Sequence, residues 1–288
     1  MFMNNTSFGV EIEFGGITRK AVANLIASHP FFMKDVSYIG GAYSQWNIYD
    51  INGNKWKVVY DSSVNHFGAE SCELVTPVLS GNADIKLLQE IVTMIRNAGA
   101  MIDESCGIHV HVSHKDMTPK ALRRLVIQWA NKEDAVLYGV QTIPARLESF
   151  CKTVDNMFLN SLISKSIKTY KEISDFWYMF NTDIARTNTA HYHKSRYHSL
   201  NLHSFFTNQS PVKDIEFRLF NGTLDEEKIT AYIQYCCAVV NHAVETHSAK
   251  YSKMPINKAN LADWFTRIGL VGTEYKICRK HMLAGFAN

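Results

Sequence analysis

The sequence predicts an α+β fold with a largely antiparallel sheet. Strand-like runs come as hairpins and singles, separated by long helical stretches, and not in one-for-one alternation with helices. The pair Asn52-Gly53 lies between two aromatic-rich runs within 43–60, a strong hairpin signal. Three short runs show strict alternation of apolar and polar residues, the period of a half-buried strand.

The first of these is Gly9-Val10-Glu11-Ile12-Glu13-Phe14. Phe8, Val10, Ile12 and Phe14 take one face, and Gly9, Glu11 and Glu13 the other. Both carboxylates therefore share a face, roughly 6.6 Å apart along the strand. A short helix is expected over 20–28, then the hairpin, then a strand at Glu73-Leu74-Val75-Thr76 ended by Pro77. Residues 83–98 carry apolar side chains at Ile85, Leu88, Ile91, Val92 and Ile95 and close on Gly99, which predicts a helix. Ile108-His109-Val110-His111-Val112 is the second alternating run and places two imidazoles on one face. Thr118-Pro119 opens a helix running through Trp129 toward Tyr138.

Residues 145–180 are helical in pattern, and 182–207 form a polar segment rich in Arg, His, Asn and Tyr. The third alternating run, Ile215-Glu216-Phe217-Arg218-Leu219, follows and pairs a carboxylate with a guanidinium. Asn221-Gly222 marks a turn, and Asp225-Glu226-Glu227 opens a helix reaching about 247. Two short helices are expected at 261–268 and 273–283. No proline-rich linker divides the chain, so one domain over 1–288 is expected, with a mainly helical insertion around 145–190.

Composition bounds the function. The chain has 288 residues and formal net charge +3, too little for nucleic-acid or membrane binding by attraction alone. The local basic clusters Arg123-Arg124 and 191–196 are where a polymeric substrate would make contact; on a helix such residues are commonly solvated. Six cysteines fit neither a disulfide framework nor a CxxC pair, which reads as reduced thiols. No run approaches the roughly 20 apolar residues of a membrane span, and the N-terminal segment lacks a leader pattern. The expectation is a cytoplasmic protein.

Each alternating run has a plain reading: a solvated outer face, polar cross-strand partners, or an exposed ion pair worth under about 1 kcal/mol. Three together, each with a clean apolar opposite face, point to a sheet whose second face is a site. Carboxylates with little thiolate favour Mg²⁺ or Mn²⁺. Cys106 beside the two histidines keeps a zinc site open. An arginine fork alongside suits a phosphate. There is no GxxxxGK[ST] loop and no GxGxxG after a strand, so ATP would bind through metals on a sheet face.

The ordered segments GVEIEF (9–14), VVYDSSV (58–64), ELVTPVL (73–79), CGIHVHVS (106–113), RYHSLNLHSF (196–205) and IEFRLFNGTLD (215–225) carry a resemblance over about three quarters of the chain. They resemble the amidoligase family, within the glutamine synthetase and glutamate–cysteine ligase superfamily of carboxylate–amine ligases. The resemblance implies an antiparallel sheet curved into a funnel, helices on its outer face, and metal-bound ATP inside. It implies metal-ligand roles for Glu11, Glu13, Glu73, His109 and Glu216, with Glu70 as a further carboxylate nearby. It implies nucleotide contacts from His109, His111 and Arg218, and phosphate contact during transfer from Arg218. Asp61 and Arg196 match positions expected near substrate; Asp61 equally suits a turn cap. The base that deprotonates the amine is expected at His111 or among His191, His193, His198 and His203.

The implied reaction is ATP-dependent formation of an amide through an acyl phosphate, with small-molecule or peptide carboxylates and amines as substrates. Homo-oligomers occur in the superfamily. Two alternatives remain open on the same residues: a zinc- or manganese-dependent hydrolase using Cys106, or a non-catalytic nucleotide- or peptide-binding protein. Trp46 and Trp56 read as hairpin packing in preference to ligand stacking.

Overall fold

A computed structural model describes residues 5–180, 193–207 and 213–287. The chain is α+β: eight strands of open antiparallel sheet accompany ten helices among the described residues. It divides into two compact units, and the divisions fall inside three strands and one helix.

The unit made of Ser7–Val110 and Phe220–Thr230 contains β1 (Thr6–Phe14), α1 (Arg19–Ser28), β2 (Phe32–Gly40), β3 (Gln45–Asp50), β4 (Lys55–Val59), β5 (Cys72–Val75) and α2 (Gly81–Asn97). It also holds the first half of β6 (Gly107–His114). Its strand order is β2-β3-β4-β5-β1-β6. Phe8, Val10, Ile12 and Phe14 of β1 are buried, as are Ile108 and Val110 of β6. Each such side chain contributes roughly 1.5–3 kcal/mol by leaving water. Thr18 caps α1 by accepting the Ala21 N–H at 3.2 Å. Gly53 has φ +80° in the β3–β4 hairpin, the left-handed conformation that its turn requires.

The ladder between β1 and β5 is antiparallel, with Glu11 opposite Val75, Ile12 opposite Leu74 and Glu13 opposite Glu73. It runs one residue past β5. The Thr76 N–H donates to the Val10 carbonyl at 3.1 Å, and the Val10 N–H donates to the Thr76 hydroxyl at 2.9 Å. Pro77 then interrupts the pairing for want of an N–H, and it resumes where Phe8 and Leu79 exchange both backbone bonds, at 2.9 and 2.7 Å. β2 has no counterpart in the sequence reading. It is an edge strand, mostly exposed, with Lys34 and Asp35 in it and register shifts against β3. It therefore lacks the buried face that gives strands their period of two.

The other unit comprises Met1–Thr6, His111–Leu219 and Ala231–Asn288. It holds the second half of β6, α3 (Pro119–Gly139), α4 (Pro144–Ser149), α5 (Asn156–Ser164), α6 (Tyr170–Phe180) and β7 (Leu200–Asn201). It continues with α7 (His203–Phe206), most of β8 (Ile215–Asn221) and of α8 (Glu226–Glu245), α9 (Lys258–Arg267) and α10 (Lys276–Met282). Its strand order is β6-β8-β7, with Leu200 opposite Phe217 and Asn201 opposite Glu216. Thr118 caps α3, and Pro119 stands in its first turn. The core centres on Trp129, Phe217 and Tyr235; the Trp129 and Phe217 rings pack edge to face at 5.1 Å. No described helix is long and apolar enough to cross a membrane.

Candidate functional site

Five of the residues singled out in the sequence meet in the first unit. Glu11 and Glu13 stand on β1, Glu73 on β5, His109 on β6, and Asp61 in the segment after β4. Period-2 geometry brings Glu11 and Glu13 to one face, and register places Glu73 directly across from Glu13. Both members of that cross-strand pair are buried, at 2% and 9% exposure. Like charges directly opposite one another destabilise a sheet, and buried ones more so.

His109, 3% exposed, lies between two of these carboxylates. Its Nδ1 is 2.9 Å from Glu11 Oε2 and its Nε2 is 3.7 Å from Glu13 Oε1. A neutral imidazole has one N–H, so one ring nitrogen turns a lone pair toward a carboxylate unless a second proton or a cation intervenes. The Gly107 N–H donates to Glu13 Oε2 at 2.5 Å and fixes that carboxyl.

Donor atoms of Glu11, Glu73 and His109 lie within 4.8 Å of one another, and so do those of Glu13, Asp61 and Glu73. The two sets share Glu73. Asp61, read from the sequence as a substrate-side residue or a turn cap, thus joins the carboxylates. It is a turn cap as well, since its Oδ1 accepts the Ser63 N–H and hydroxyl, each at 2.6 Å. Glu70 is exposed on a 3-10 turn and enters no such set among the described residues.

The donor chemistry fits a hard divalent cation: four carboxylates and one imidazole, with oxygen in the majority. Cys106 does not contribute to these sets. Its thiol points to Asp103 Oδ1 at 3.6 Å, and burial pushes it up to about 12. All six cysteines are buried free thiols.

The second unit carries the other candidates. Glu216 and Arg218, each 4% exposed, stand two residues apart on β8 and form an ion pair through Arg218 Nη1 and Glu216 Oε1. The plain same-face ion pair therefore exists, but buried, where geometry matters far more than at a surface. Asn201 Nδ2 donates to the other Glu216 oxygen at 2.5 Å. The Arg218 backbone is held at both ends: its N–H donates to the Ser199 carbonyl at 2.9 Å, and its carbonyl accepts from Arg146 Nη2 at 3.2 Å. Arg146, on α4, is itself buried.

His111 Nδ1 lies 3.0 Å from Asp214 Oδ1, an orientation that leaves Nε2 as the proton-accepting atom of the ring. Asp214 lies one residue ahead of β8, and no sequence signal pointed to it. Arg196 ends a 3-10 turn and sits over the Tyr197 ring, 5.8 Å from its centroid.

The polar-segment histidines are structural in their surroundings. His193 and His203 stack at 5.4 Å, with His203 Nδ1 2.7 Å from the Tyr178 hydroxyl. His198 Nδ1 donates to the Ser195 carbonyl at 2.8 Å. Burial holds the pKa of both His193 and His198 below the usual value. His191 lies outside the described residues.

A buried carboxylate on α3 escaped the sequence reading. Glu133, 1% exposed, accepts hydrogen bonds from the Ser199 hydroxyl, Trp129 Nε1 at 3.1 Å and the Val154 N–H at 3.1 Å. Burial pushes its pKa up to about 7, against the pull of those donors.

The family model described as "Putative amidoligase enzyme" matches residues 4–240. The chain belongs to the amidoligase family. That description points to an enzyme that forms amide bonds. No curated protein matches this amidoligase-family chain.

Proposed function

We propose that this protein is an ATP-dependent carboxylate–amine ligase that forms an amide through an acyl phosphate and releases ADP. The observation that carries the reading is the buried, directly opposed pair Glu13 and Glu73 with Asp61 and His109 around it, in a chain of the amidoligase family. Glu11, Glu13, Asp61, Glu73 and His109 would hold Mg²⁺ or Mn²⁺. When bound, such an ion screens the charge on nucleotide phosphate oxygens.

The chain's own groups have separable tasks. Gly107 and His109 fix the Glu13 and Glu11 carboxylates, so the donors need little rearrangement on binding. Arg218 supplies fixed positive charge for the transferred phosphoryl group, and Glu216 orients its guanidinium. Glu216 and His111 remain proposed contacts to metal and nucleotide respectively, and Arg196 to substrate.

His111 is the preferred base for the amine's proton. Asp214 orients it, and it is half-buried, whereas His193, His198 and His203 are packed among aromatic rings. The carboxylate oxygen attacks the γ-phosphorus, ADP leaves, the amine nitrogen adds to the acyl carbon, and phosphate departs. The substrates are proposed to be small-molecule or peptide carboxylates and amines, and the setting cytoplasmic. The alternative zinc hydrolase loses its thiolate ligand to the Asp103 contact of Cys106.

The test is ADP release from ATP over a matrix of carboxylates and amines, followed by the positive pair with oxygen-18 in the carboxylate. Transfer of label into phosphate supports the acyl phosphate. Amide cleavage without nucleotide, dependent on zinc, would replace the ligase by a hydrolase.

A further inference from the structure

The second unit contains a hollow of about 360 Å³ between α3, α9 and the 250–255 segment. Lys132, Lys250, Lys253 and Arg267 line it, and Asp263 is its one acidic lining residue. Lys253 pairs with Asp134 at 3.0 Å. Lys132, Lys250 and Arg267 form no ion pair among the described residues.

The wall is built firmly. Asn131 is buried on α3. Its Nδ2 donates to the Lys250 carbonyl at 2.9 Å, its Oδ1 accepts the Ser252 N–H at 2.6 Å, and its carbonyl accepts the Met254 N–H at 2.8 Å. These three bonds fix the segment that presents Lys250 and Lys253. The ammonium of Lys132 sits over the Trp264 ring, 5.0 Å from its centroid. Behind it, the His242 ring meets the Trp264 ring edge-on at 5.2 Å.

The cations strain one another. Burial and the neighbouring Arg267 hold Lys132 below its ordinary pKa. Burial, with Lys132 and Arg267, does the same to His242, and Glu245 opposes that effect. Positive charge concentrated in a concave, half-dry place without a matching anion is an electrostatic liability that an anion would relieve.

We propose that this hollow binds a small phosphate-bearing polyanion. The ammonium groups of Lys132 and Lys250 and the guanidinium of Arg267 meet its oxygens, and Ser252 and Asn260 line the remaining polar wall. Lysine suits phosphate as a compact point charge, and the volume lies at the small end of small-molecule sites. The site is independent of the ligase reading, since no residue of the carboxylate cluster takes part.

The experiment is calorimetric titration of the full chain with inorganic pyrophosphate, in chelator at low salt, with citrate as the carboxylate counterpart. Saturable pyrophosphate binding is expected, with citrate weaker. Lys250→Met, an exposed change that leaves the core alone, should raise Kd about tenfold, as should Lys132→Met; tenfold is about 1.4 kcal/mol. Asp263→Asn should tighten binding several-fold. Glu13→Gln should leave it unchanged. Absent binding, indifference to both lysine variants, citrate binding as tightly, or loss in Glu13→Gln would each overturn the proposal. None of these outcomes bears on whether ATP turns over.

Discussion

Replacing Glu73 by glutamine removes one of two carboxylates that the β1–β5 register forces together. Their donor oxygens lie no more than 4.8 Å apart. At the effective dielectric of about 20 that suits protein sites, two full charges at that separation repel by about 3.5 kcal/mol. The facing imidazole of His109 offsets part of this when protonated. The net relief expected from Glu73→Gln is therefore about 1–2 kcal/mol. The amide adds an N–H donor for the Glu13 carboxylate, so the exchange leaves no polar atom stranded.

In chelator the variant should be more stable than wild type. With millimolar Mg²⁺ or Mn²⁺ the order should reverse, because only wild type gains the linkage energy of a bound cation. Urea unfolding followed by circular dichroism, with and without metal, measures both differences. A variant less stable than wild type in chelator, together with a wild type indifferent to both metals, would refute the reasoning.

Glu133 should make stability fall as pH rises from about 4.5 to about 7. Its folded pKa is raised, so the folded state binds the extra proton in that window and loses that advantage above it, by about 3 kcal/mol. Glu133→Gln should flatten the dependence there, as urea midpoints against pH would reveal; an unchanged slope would contradict the assignment. Arg218→Met should cost about 3–5 kcal/mol by leaving the buried Glu216 carboxylate without its cation, and adding Glu216→Gln should recover much of it. A simple sum of the two losses in the double variant would show that the pair is not coupled. All six cysteines should resist iodoacetamide at pH 8 in the folded protein, since each is buried, and burial pushes Cys72, Cys106 and Cys237 up to about 12. Rapid labelling of Cys106, read by mass spectrometry, would contradict its geometry.

The strands carrying chemistry were legible because apolar packing on one face, against polar residues on the other, imposes a period of two. Phe8 to Phe14 is the clearest case, and Ile108 to Val112 and Ile215 to Leu219 follow it. β2 was not, because an exposed edge strand has no apolar face to betray it. That Glu13 and Glu73 serve one ligand set was implied by the family resemblance; that they stand directly opposite was not legible. Register depends on how Thr76 and Pro77 interrupt the ladder before Leu79 pairs with Phe8, and period alone does not give it. Glu133 with Ser199 and Val154, and His111 with Asp214, join residues 21 to 103 positions apart in sequence. Such pairings arise from tertiary packing and leave no local trace. Arg218 showed as a same-face partner of Glu216, while its full burial and the hold of Arg146 on its carbonyl did not.

The most direct test of the central claim is binding of a non-hydrolysable ATP analogue by calorimetry, with Mg²⁺, with Zn²⁺ and with chelator, to wild type and Glu11→Ala. Saturable binding that requires Mg²⁺ and is lost in Glu11→Ala is expected, with the fold intact by circular dichroism. Nucleotide binding that persists in chelator and in Glu11→Ala, or tight zinc binding with no nucleotide binding at all, would contradict it.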